Sequence, residues 1–80
     1  MKVFPNHVSS ELNVIISNTL PIKNEITLVN ILGKTVLIKS FETQQGENNF
    51  TLNVKDLPSG TYFLEMENGF ENIVQKFMVW

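Results

Sequence analysis

The sequence predicts an all-β protein, a seven-stranded immunoglobulin-like β-sandwich with Greek-key connections. Three observations predict it. Apolar residues recur at every second position in several separate runs, the period of a strand with one wet face. No stretch carries convincing helical spacing. Turn-forming Pro, Gly and Asn residues separate the runs at near-regular intervals, the punctuation of a two-sheet sandwich.

The elements follow in order. Residues 2–4 form a short entry strand that stops at Pro5-Asn6. Residues 11–17 are a strand in which Leu12, Val14 and Ile16 alternate with Asn13 and Ser17, while Ile15 interrupts the polar face. Pro21 separates it from a strand at 25–31. There Ile26 and Leu28 face opposite to Val29 and Ile31, which suits burial on both faces. Gly33 follows Ile31-Leu32 and is expected to take positive φ in a tight turn. A strand at 35–42 carries Val36 and Ile38, and Gln44 to Asn48 form a polar loop. Phe50, Leu52 and Val54 alternate with Asn49, Thr51, Asn53 and Lys55, a strand at 49–55. Lys55 to Gly60 make a longer crossover. In the strand at 61–67, Tyr62, Leu64 and Met66 alternate with Phe63, Glu65 and Glu67. Asn68-Gly69 then reads as a type I′ hairpin turn, and residues 70–79 form the last strand. Its two faces are hard to tell apart: Ile73 and Phe77 point one way, Val74, Met78 and Trp80 the other. The expected core is Leu12, Val14, Ile16, Ile26, Leu28, Val36, Ile38, Phe50, Leu52, Val54, Leu57, Tyr62 and Leu64.

Eighty residues suit one domain, and so small a domain folds with little stability to spare. The chain has no Cys, which removes disulfides and thiolate metal sites. Its formal net charge is −2, with six basic residues, all Lys. Without Arg there is no planar fork for phosphate, and no basic stripe suggests nucleic acid. No apolar run reaches the ~20 residues that span a bilayer. Met1 to Phe4 meet Pro5 before an apolar core can build, so no signal peptide is expected here.

Candidate chemistry is sparse. His7 is the only His and Asp56 the only Asp. A triad with Ser9, Ser10, Ser17, Ser40 or Ser59 lacks a nucleophile-elbow pattern, and His7 reads as a loop residue. Glu65 and Glu67 share one strand face, at a separation that suits a carboxylate pair. They need a cleft that so small a sandwich hardly provides, and they read as a solvated face. No Asp-rich loop suits calcium. Asn49-Phe50-Thr51 matches a glycosylation triplet but falls inside a strand. Phe63, Phe70 and Trp80, with Ile15, are candidates for either cross-strand packing or a docking patch. The chain is expected to be no enzyme and to need no cofactor or small-molecule substrate.

Taken together, four segments resemble a known family. Phe4-Pro5-Asn6-His7 followed by Leu12-Asn13-Val14 is similar to an aromatic-Pro-Asn-Pro opening and its Leu-x-Val strand, with His7 in place of the second Pro. Ile31 to Val36 match a strand leading into a Gly-Lys/Arg-x-Val turn. Leu57-Pro58-Ser59-Gly60-Thr61-Tyr62 match a Leu-x-x-Gly-x-Tyr strand. Lys76 matches a Lys near the chain end, although the tail Met78-Val79-Trp80 is less basic than in many members. The chain therefore resembles the type A C-terminal sorting domain of the type IX secretion system of Bacteroidetes. The resemblance implies an address and not a catalyst. It implies one C-terminal domain over 1–80, cut from a larger secreted cargo protein. It implies partners in an outer-membrane translocon and a sortase, periplasmic transit, and a destination at the cell surface or outside the cell. The motif residues it marks are Pro5, Asn6, Leu12, Val14, Gly33, Lys34, Gly60, Tyr62 and Lys76. An immunoglobulin- or fibronectin-like cell-surface module that binds carbohydrate or protein is the alternative. Position in the parent separates the two, because a sorting domain must come last.

Overall fold

In the computed structural model, two sheets face each other in a body of 35 × 21 × 16 Å. It describes all residues except Asn6, Ser9, Thr19, Leu20 and Phe70, and except the side chains of His7, Val8 and Asn18. Among the described residues eight strands occur in chain order: β1 (Lys2–Phe4), β2 (His7–Val8), β3 (Glu11–Asn18), β4 (Lys23–Asn30), β5 (Thr35–Glu42), β6 (Gly46–Asn53), β7 (Gly60–Glu67) and β8 (Asn72–Val79). Each of the seven expected strands is present. The addition is β2, two residues that pair in parallel with Met78 and Val79 of β8. One sheet has the order β1-β3-β6 and the other β2-β8-β7-β4-β5. β7 returns to pair with β4 after the chain has passed through β5 and β6, a crossed connection of the Greek-key kind.

Alternation sets the core. Leu12, Val14 and Ile16 of β3 and Leu52 of β6, followed by Val54, meet Ile26 and Leu28 of β4, Tyr62, Leu64 and Met66 of β7, and Phe77 and Val79 of β8. The last strand thus resolves its own ambiguity. Ile73, Phe77 and Val79 face in, and Val74, Met78 and Trp80 face out. β4 is not buried on both faces: Ile31 falls outside the strand and is 73 % exposed.

β5 corrects the expected core. Leu28 pairs with Leu37, whereas Val29 pairs with Thr35, so Val36 is one residue too many. A β-bulge of this kind inverts the facing of everything beyond it. Leu37 and Phe41 therefore pack toward the core, while Ile38 turns outward and is 61 % exposed. Val36, Phe50 and Leu57 are only half-buried. A three-stranded sheet cannot cover a five-stranded one, so β5 overhangs. Phe41 and Phe50 close that side, their ring centroids 3.8 Å apart.

Two further expectations change. Gly46 to Asn48 belong to β6 and not to a loop. Asn48 is buried there, with its Nδ2 donating to the carbonyls of Ile16, Gln44 and Gly46. The hairpin after β7 is not type I′. Gly69 has φ +90°, but no described non-glycine residue has positive φ. The Asn68 side chain closes this turn instead, its Oδ1 accepting from the Glu71 N–H at 2.9 Å.

Candidate functional site

The motif residues separate into buried and exposed groups. Leu12 and Val14 are fully buried in the three-stranded sheet, opposite Leu52 and Phe50. They shape the domain and offer no surface. Pro5 is exposed and lies where the chain leaves β1 of one sheet for β2 of the other. Asn6 lies outside the described residues, as do Ser9, Phe70 and the His7 side chain. Gly33, Lys34, Gly60, Tyr62 and Lys76 all belong to one half of the five-stranded sheet. The register places them there: Asn30 pairs with Tyr62, Phe63 with Lys76, and Gly60 with Val79.

Tyr62 and Gly60 form the corner between β6 and β7. The Tyr62 hydroxyl donates to the Pro58 carbonyl at 2.6 Å, so a buried phenol reaches back to the crossover it follows. This is the tyrosine-corner arrangement of immunoglobulin-like sandwiches. The Tyr62 ring stacks on Phe77, centroids 5.8 Å apart. Gly60 has φ +154°, and a Cβ there would meet nothing within 4 Å. A side chain at Gly60 is therefore opposed by backbone conformation and not by space. Gly60→Val is expected to cost about 1–3 kcal/mol, read as a lower denaturation midpoint. A midpoint equal to the parent's would show that the corner tolerates a side chain.

The turn from β4 to β5 is braced just as firmly. The Asn30 N–H donates to the Lys34 carbonyl and the Gly33 N–H to the Asn30 carbonyl, each at 2.9 Å. Asn30 Oδ1 also accepts from the N–H groups of Leu32 and Lys34, again at 2.9 Å. Gly33 supplies the left-handed residue, φ +82°, which glycine adopts without steric cost. Sequence reasoning placed the turn but missed Asn30 as its clamp. The signal was an Asn in phase with Ile26 and Leu28, hence facing the interior at a strand end.

Lys76 is exposed on the outward face of β8 between Val74 and Met78, which are 56 % and 43 % exposed. Phe63, opposite it on β7, is half-buried and Trp80 is exposed. Among the described residues, the edge of β8 away from β7 is covered only by β2, at Met78 and Val79. From Asn72 to Phe77 that edge presents its peptide groups to no described strand. Glu65 and Glu67 are exposed on the same outer face. The concavities near Glu67 are open depressions of about 220 and 310 Å³ around the β7–β8 hairpin, lined by residues such as Lys23, Glu25, Glu67 and Glu71.

Comparison with known families settles what this sandwich is. The family model of the secretion system C-terminal sorting domain matches residues 2–80. The chain belongs to that family. It is a C-terminal sorting signal for type IX secretion. Such a sorting domain interacts with the secretion machinery, forms part of a larger cargo protein, and marks that cargo for the cell surface or for secretion. The family is not one of enzymes. The match does not favour the cell-surface binding module. No individual curated protein matches the chain.

Proposed function

We propose that residues 1–80 act as one rigid sorting domain without catalysis, read by the outer-membrane translocon after periplasmic transit and then removed by a sortase. Pro5, Gly33, Gly60 and Tyr62 serve recognition by fixing turns and corner, and Leu12 and Val14 by filling the core, while Asn6 belongs to the same motif by sequence alone. Lys34 and Lys76 are the charged motif residues, both exposed and available for direct contact. The observation that carries this reading is the uncovered edge of β8 with Lys76 beside it. A receptor segment can add a strand along such an edge, taking affinity from peptide hydrogen bonds and register from one charged side chain.

Deleting residues 76–80 does not test this cleanly, because it also removes Phe77 and Val79 from the core. Lys76→Glu leaves the core intact. In a cargo fusion it is expected to lower export at least about tenfold, the scale of reversing a charge inside an interface, with no change in the domain's melting. Normal export by a folded Lys76→Glu fusion would refute the reading of β8.

A further inference from the structure

The β4–β5 turn ends in two large aliphatic side chains that face solvent: Ile31 is 73 % and Leu32 89 % exposed. Slack does not explain this, because Asn30 and Gly33 brace the turn with the four hydrogen bonds described above. Other described turns carry polar residues at their tips, such as Gln44-Gln45 and Asn68-Gly69. Trp80, 67 % exposed, follows β8 at the same end of the sheet. β8 lies two strands from β4, a separation of about 10 Å. The apolar groups are therefore separate protrusions along one end of the body, and do not line a groove.

Charge is divided along the same axis. Lys34, Lys55 and Lys76 lie at or toward this end, with Glu11 and Asp56. Glu25, Glu42, Glu47, Glu67 and Glu71 gather at the opposite end, with Lys23, Lys39 and, nearer the middle, Lys2 among them. The apolar end thus holds slightly more lysines than side-chain carboxylates and the opposite end more carboxylates than lysines, so an anionic layer favours the apolar end over the other. Protruding aliphatic side chains, an aromatic ring and lysines at one end suit the boundary of a lipid layer, where apolar groups sink to the acyl region and lysines stay among the headgroups.

We propose that the Ile31-Leu32 turn, with Lys34 and Trp80, is a contact site for an anionic lipid surface, which it enters reversibly and end-on. The contact is independent of strand addition at β8.

The test uses the 80-residue chain with vesicles of phosphatidylcholine alone and of phosphatidylcholine with phosphatidylglycerol. Trp80 is the single Trp, so its emission reports on its surroundings. The chain is expected to bind the anionic vesicles more tightly, with a blue shift and with quenching by brominated lipid. Ile31→Ser combined with Leu32→Ser should lower the partition coefficient about tenfold for each side chain removed, with unchanged melting. Lys34→Glu should weaken binding a few-fold, on anionic vesicles alone. Absence of binding to either vesicle, equal binding by the double variant, or indifference to phosphatidylglycerol would each overturn the proposal. If the parent ignores vesicles while the double variant loses export, the tip fits a protein pocket instead, and the lipid assignment fails.

Discussion

Phe77→Ala is expected to destabilise the domain by about 3–5 kcal/mol, a large part of the stability of so small a protein. Phe77 is 1 % exposed and stacks on Tyr62. Truncation opens a cavity beside the ring whose hydroxyl closes the corner to Pro58. The neighbours cannot easily collapse into it, because β8 is held by β7 along its whole length. Val74→Ala on the same strand is the control. Val74 faces out and is 56 % exposed, so its loss should change stability by no more than about 0.5 kcal/mol. Denaturant unfolding of the two variants reads the difference. Equal losses would mean that β8 does not face the core as described.

Asn48→Ala is the second large effect, at about 2–4 kcal/mol. The Asn48 amide is buried, donates to Ile16, Gln44 and Gly46, and accepts from the Gln44 N–H at 2.8 Å. Alanine leaves the Ile16 carbonyl without this donor inside the sandwich and frees the β5–β6 connection from its clamp. Unsatisfied buried groups cost about 1–3 kcal/mol each, and groups near solvent recover part of that from water. Asn49→Ala, next along β6 and exposed, should be nearly neutral. A neutral Asn48→Ala would show that water replaces the side chain at no cost.

Asn24 does the same at the end of β4 away from the Ile31-Leu32 turn. It donates to the Ile22 carbonyl at 3.1 Å and accepts from Asn68 Nδ2 at 3.1 Å. It therefore joins the start of β4 to the β7–β8 hairpin. Thr43, also fully buried, donates to the same Ile22 carbonyl at 3.2 Å. These polar groups escaped sequence reasoning because Asn and Thr are ordinary loop residues. The usable signal was their phase: Asn24 and Asn48 continue the inward rows of Ile26 and Leu52. A polar residue on an inward row, one step from a turn, is placed to satisfy the turn's peptide groups.

Of the candidate site, the turns were legible and the surface was not. Gly33 and Gly60 announce themselves as glycines at breaks in alternation, and both have positive φ. The exposure of Ile31 and Leu32 was hidden, since two aliphatic residues before a glycine read equally well as the buried end of a strand. Whether β8 lay at an edge was equally hidden, because alternation is the same for a central and an outer strand.

The amino-acid order alone settled seven of the eight described strands, the inward rows of β3, β6 and β7, and the family. Each follows from period-two patterning and local turn chemistry, which act between near neighbours in the chain. Only the tertiary structure decided the facing of β5, the role of the polar clamps, and which strand edges and apolar side chains remain uncovered. Those depend on which strands meet across the two sheets. A single bulge at Val36 or one strand fewer in a layer changes them without altering the local pattern.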